Sequence, residues 1–234
     1  MKRAAVNLIG MLLLGLPSEA GAQQQVSQER VTALKTSIQR DQDRLLQYEW
    51  IETTVVRLKG DEKARQQHRC YYGADGGVQK VATGVQEQAK SPRGLRGRAA
   101  AKKKGQLTEY MQKAVDMVQL YVPPEPARLQ RSKDSGKAVI RILEPERRAL
   151  VEFGDYLKAG DTLGIEIDLK SNRLLRLNIR TSLETPEDAV SLDVSFANLA
   201  DGTGYPARIV LEAAAKQLDI TVESTGYRPS GSRQ

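Results

Sequence analysis

One cysteine, one histidine, one tryptophan and two phenylalanines in 234 residues set the first limits. Cys70 alone closes no intramolecular disulfide, so burial rather than cross-linking must hold the fold. His68 alone excludes a two-histidine zinc motif and any multi-histidine metal site. No Gly-x-Ser-x-Gly elbow, Ser-x-x-Lys dyad or Walker A loop is present. Aromatics are 5% of the chain, so the core must be built from Leu, Val, Ile and Ala. Such a lining packs softly, around a flexible apolar ligand or around itself. After residue 16 no apolar run approaches the roughly 20 residues of a membrane-spanning helix.

What is present begins at the N-terminus. Lys2 and Arg3 precede an apolar run over 6–16, Pro17 breaks it, and Ala20-Gly21-Ala22 supplies small residues at a cleavage site. That pattern predicts a signal peptide over 1–22, cut before Gln23, with no adjacent cysteine to accept lipid. The expected compartment is the periplasm. Residues 23–228 are expected to form a single domain, followed by a disordered tail over 229–234. A net charge of +7 suits anionic partners, which outside the cytoplasm means phospholipid headgroups, lipopolysaccharide or cell-wall polymer.

Hydrophobic period divides the chain into elements. Val31, Leu34, Ile38 and Leu45 recur at helical spacing and predict a helix over 26–47. Alternation then predicts strands over 48–58, 65–72 and 78–81, with turns at Gly60-Asp61 and at 73–77. Leu107, Met111, Ala114, Val115, Val118 and Tyr121 predict a second helix over 107–122, stopped by Pro123-Pro124. Strands follow at 137–143, 149–153, 163–169, 175–179, 190–196, 207–211 and 218–222. Their short connections imply an antiparallel meander with one apolar and one wet face.

Local anomalies are few. Gly202-Thr203-Gly204 followed by Tyr205-Pro206-Ala207 mimics a dinucleotide fingerprint, but it precedes a strand and contains proline. His68 and Cys70, two apart on a strand, share a face and are the one candidate nucleophile and base. Glu166 and Asp168 also share a face, on the polar side of their strand, where solvation is expected. The span 84–106 reads as a flexible basic loop. Its Arg93, Arg96, Arg98, Lys102, Lys103 and Lys104 are candidates for contact with an anionic membrane surface. No aromatic residue is interleaved there for bases to stack on, so no nucleic-acid partner is expected.

The order of elements resembles the LolA/LolB-like superfamily of periplasmic lipoprotein carriers and outer-membrane lipoprotein-sorting proteins. The likeness is strongest over 162–228, in Leu-Gly-Ile-Glu-Ile-Asp (163–168), Arg-Leu-Leu-Arg-Leu (173–177) and Val-Ser-Phe-Ala-Asn-Leu-Ala-Asp-Gly-Thr-Gly-Tyr-Pro-Ala-Arg (194–208). That last stretch, with Gly226-Tyr227, looks like a group of uncharacterised exported bacterial proteins. The resemblance implies a curved antiparallel half-barrel holding acyl chains in an apolar concavity.

The expected fold class is therefore α+β, a curved antiparallel sheet covered by two or more helices. The leading function is non-enzymatic binding of a hydrophobic or lipid-like ligand. Leu175, Leu177, Ile179, Leu192, Val194 and Phe196 are expected on the concave face, with Leu107, Met111, Val115 and Val118 as a lid. Two alternatives stand beside it. One is an envelope module that binds a protein partner or an anionic surface through the basic loop. The other is an enzyme using Cys70 and His68. No cofactor and no metal are expected.

Overall fold

The structure, a computed structural model, describes residues 20–83 and 95–231, with side chains over 32–83 and 102–231. The elements are α1 (Ala20–Leu45), β1 (Tyr48–Leu58), β2 (Asp61–Tyr72), β3 (Val78–Ala82), α2 (Leu95–Gln119), α3 (Pro126–Asp134), β4 (Ala138–Glu144), β5 (Arg148–Gly154), β6 (Thr162–Asp168), β7 (Arg173–Ser182), β8 (Ala189–Asn198), β9 (Gly204–Ala213) and β10 (Leu218–Pro229). All ten strands join one open antiparallel sheet in the order β3-β2-β1-β10-β9-β8-β7-β6-β5-β4. This is the α+β half-barrel architecture, with β3 and β4 as its two edges.

The sheet is two meanders fused by one long-range pairing. β1 lies antiparallel to β10 from Tyr48 opposite Pro229 to Leu58 opposite Leu218. β10 continues past the predicted 222, and Ser230 bonds the Gln47 carbonyl through both its N–H and its hydroxyl. Residues 229 and 230, expected in a tail, are thus tied to the start of β1; 232–234 lie outside the described residues.

One face of β5–β10 carries the core. Leu163, Ile179 and Ala213 are 0% exposed, and Phe153, Val190 and Leu218 at most 2%. Each buried Leu, Ile, Val or Phe side chain among these contributes about 1.5–3 kcal/mol relative to exposure. α2 covers this face with Ala114 and Val118, and Tyr121 follows, fully buried. α1 presents Leu34, Ser37, Asp41 and Leu45, spaced three, four and four, and contacts β7 and β9. The approach is close at Gly204, where a Cβ would stand 2.6 Å from the Asp41 carboxylate.

Two helices differ from expectation. α2 starts at Leu95, so 95–106 is helix rather than loop. Gly97 costs about 1 kcal/mol in a helix, but Ala99 to Lys104 are strong helix formers and offset it. Residues 84–94, including Arg93, lie outside the described residues, as do the side chains of Arg96 and Arg98. α3 was not expected at all. It starts with Pro126 at its first turn, where the missing N–H costs nothing, and buries Leu129 and Ser132. Ser132 donates to the Gly154 carbonyl at 2.8 Å, fastening α3 to β5.

Candidate functional site

The concave face is built in rows that run across the strands. In one, Leu163 pairs Ile179, then Leu192, Leu211, Ile220 and Val56. In the next, Ile165 pairs Leu177, then Val194, Ile209, Val222 and Thr54. Burial falls in two directions. Along the strands it drops from Leu163 and Ile179 to the half-buried Ile167, Leu174 and Phe196. Across them it drops from Leu177 and Val194 to the half-buried Ile209 and Val222.

Leu163 and Ile179 are fully buried, so the space in front of them is filled by protein. Of the lid residues, Val118 is buried, while Leu107, Met111 and Val115 are half-buried against the same cluster. Of the sheet residues, Leu177, Ile179, Leu192 and Val194 are buried and Phe196 is half-buried.

Leu175 departs from the predicted row. The register slips between Glu166 and Ile167, which pair Arg176 and Leu174 respectively, so β7 carries one extra residue. The bulge brings Leu174 onto the core and puts Leu175 into a surface cleft of about 360 Å³ with Glu144, Arg147, Arg148, Glu166, Asp168, Arg176 and Phe196. Two adjacent leucines look alike in sequence, and only the register tells them apart.

Glu166 is also corrected. It is 7% exposed rather than solvated, and Arg148 donates to its Oε1 through Nε at 2.7 Å and through Nη2. Arg148 also holds Glu144 at 2.7 Å. Asp168 accepts from the N–H groups of Lys170 and Ser171 at 2.8 Å each, and the Ser171 N–H leads the causes that hold its carboxyl below the usual range. The two carboxylates are structural ties, not an acid and base pair.

On the other wing, Trp50 and Glu52 of β1 lie opposite Cys70 and His68 of β2. Trp50 stacks on Tyr227 at 5.5 Å, and Tyr48, Tyr72 and Tyr205 pack around the two rings. Cys70 is fully buried, its thiol pushed up first by burial and then by the Glu52 charge. Its Sγ meets the His68 carbonyl at 3.9 Å and not the imidazole, whose buried Nδ1 has no hydrogen-bond partner among the described residues. A nucleophile needs a lowered pKa and a base within reach. This pair has neither.

Among the described residues no group of three or more His, Cys, Asp or Glu could hold a metal ion. No described helix is long and apolar enough to cross a membrane. Lys102, Lys103 and Lys104 stand exposed on the first half of α2.

No family model matches the chain, and no curated protein matches it. Among solved structures it is similar to a DUF1329 family protein from Desulfovibrio piger, with 9% identity and a TM-score of 0.35 over 87% of this chain and 94% of that one. It is also similar to a LolA superfamily protein from Nitrosomonas europaea, with 8% identity and a TM-score of 0.32 over 84% of this chain and 95% of that one.

Proposed function

We propose that this is an exported, non-enzymatic protein of the periplasm that binds a hydrophobic or lipid-like ligand on the open part of its concave face. Export rests on the leader pattern over 1–22, whose first 19 residues lie outside the described ones. The observation that carries the ligand reading is the burial gradient. Beyond the filled end the apolar face is only partly covered: Leu174, Phe196, Ile209 and Val222 stay partly buried. The ligand would lie against these four and not among Ile179, Leu192 and Val118.

Binding of a fluorescent fatty acid tests the reading. The wild type is expected to bind it, and Ile209→Asp to fold with at least about tenfold weaker binding, roughly 1.4 kcal/mol. Val194→Asn is the contrast. Val194 is 9% exposed, so a partnerless amide there should cost about 3 kcal/mol of stability. A wild type that binds no acyl probe overturns the reading, and an Ile209→Asp protein with undiminished binding removes this site.

The exposed lysines at 102–104, with the predicted cations at 93, 96 and 98, are proposed to bring the protein to anionic headgroups.

A further inference from the structure

Five lysines gather at one end of the molecule. Lys59, Lys102, Lys103, Lys104 and Lys216 are all exposed. None of them is in an ion pair among the described residues, where the paired lysines are Lys63, Lys80, Lys113 and Lys137. Arginines of the convex face behave differently: Arg176 and Arg208 are paired across strands with Asp193 and Glu223.

Three elements bring the five together. Lys59 follows β1 directly, and its N–H donates to the Gln217 carbonyl at 2.8 Å, which sets it beside Lys216 in the β9–β10 turn. Lys216 Nζ lies 5.6 Å from the centre of the Tyr110 ring on α2. α2 reaches that point from β7, where Tyr121 meets Thr181. Lys103 stands two helical turns before Tyr110 on the same stripe, about 10 Å further along, or roughly two strand spacings. That step carries Lys102, Lys103 and Lys104 past β10 and over the β1–β2 turn.

The nearby acids are mostly engaged. Asp61 holds Lys63 and Glu62 holds Arg65. Asp188, whose charge after burial helps to raise the Tyr110 phenol, offsets one of the five lysines. The patch also lacks anchors. The exposed large apolar residues are Leu46, those of β3 and β4, and Leu120 and Val122, all outside it. A protein interface needs apolar or aromatic anchors at its centre. Tyr110, half-buried with Lys216 against its ring, offers no free face for a base to stack on. Unpaired point charges without anchors suit a continuous field of anionic headgroups.

We propose that the protein docks end-on against an anionic lipid surface through these five lysines, with the open part of its concave face turned away from the bilayer. The proposal rests on the reading of Lys102, Lys103 and Lys104 as headgroup contacts, and extends it to two further elements and to an orientation. Strand direction sets that orientation. The lysine end is where β1, β7 and β9 finish and where β8 and β10 begin, whereas Leu174 lies at the start of β7 and Phe196 near the end of β8. Leu174 is eight residues from Ser182, about 25 Å along the strand. Docking of this kind tethers the protein without lowering the ligand region into the lipid.

Vesicles of equal parts phosphatidylserine and phosphatidylcholine, at low salt, are the probe. The wild type is expected to bind them and to ignore pure phosphatidylcholine. Lys59→Gln with Lys216→Gln should melt like the wild type, keep its binding of a fluorescent fatty acid, and bind the vesicles about 30-fold more weakly. Arg176→Gln with Arg208→Gln removes the same charge from the convex face and should leave vesicle binding nearly unchanged. Orientation is read with an environment-sensitive fluorophore on a single introduced thiol, since Cys70 is fully buried. On Ala215→Cys, exposed beside Lys216, its emission should shift to the blue on vesicle binding. On Thr225→Cys, exposed and opposite Ile51 at the far end of β1, it should not. A wild type that ignores the anionic vesicles overturns the proposal together with the headgroup reading of Lys102, Lys103 and Lys104, while acyl binding stands or falls on its own probe. Undiminished binding by the double lysine variant, an equal loss in the double arginine variant, or a blue shift at Thr225→Cys overturns this proposal alone. Tighter binding to duplex DNA than to the vesicles at the same salt also overturns it and gives the patch to nucleic acid.

Discussion

Tyr121 shows how much one buried hydroxyl organises. It donates to Asp161 at 2.5 Å and accepts from the Thr181 hydroxyl at 2.8 Å, which joins the end of α2 to β6 and β7. Asp161, 2% exposed, also accepts from the N–H groups of Leu157 and Lys158 at 3.0 and 2.9 Å. Burial first, and the Asp161 bond second, hold the Tyr121 phenol above its ordinary value. Tyr72, Tyr156 and Tyr227 are raised too, with burial the leading cause in each. A group raised in the folded state keeps its proton there and loses it more easily when unfolded. These tyrosines therefore stabilise the fold below their unfolded value near pH 10 and lose that effect as pH climbs beyond it, with Cys70 acting the same way from about pH 8.5. Tyr121→Phe should cost about 1–3 kcal/mol at neutral pH, because Asp161 loses a donor while still buried. It should also make the alkaline fall in stability shallower. Urea unfolding at both pH values checks this, and an unchanged neutral midpoint would contradict it.

α2 separates what a helix owes to packing from what it owes to propensity. From Leu107 onward it has an apolar stripe that the core uses. Its residues 102–106 are all exposed, so this part continues the packed half without a core of its own. That is why the sequence legibly marks the second half as helix and leaves the first looking like a charged loop. Replacing Lys102, Lys103 and Lys104 together by Gln should leave the melting temperature nearly unchanged, since surface substitutions stay within about 0.5 kcal/mol. At ~1 kcal/mol per cation near an anionic surface, the same change should weaken binding to phosphatidylserine vesicles by roughly 100-fold at low salt, and less as salt rises. Indifference of the wild type to such vesicles would reduce these lysines to solubilising charge.

The molecule as a whole depends on the β1–β10 seam. β10 stands between β1 and β9, so it joins the β1–β3 wing to the strands that hold the core. It also supplies Leu218, 2% exposed, and Ile220 to the cluster. A chain ending at Ala213 should lose both, expose two inner strand edges and show no cooperative thermal transition by circular dichroism. A cooperative melt would mean that the wing and the core are separately stable. The seam pairs residues such as Thr53 and Glu223, far apart in sequence, so its closure carries a high cost in loop entropy.

What the sequence determined by itself is local in origin. Alternation, helical spacing and turn residues each act over a few neighbours, and they marked ten strands, two of the three described helices and the α+β class. The tertiary structure decided the rest. It joined the first strand to the last, exchanged Leu174 for Leu175 through a one-residue bulge, and buried Glu166 beneath Arg148. It also buried Leu163 and Ile179 fully on the concave face while leaving Ile209 and Phe196 only partly buried. Each of these outcomes depends on which distant strand lies opposite and in what register. An alternating pattern records only which side of its own strand a residue occupies, and a single inserted residue reverses even that.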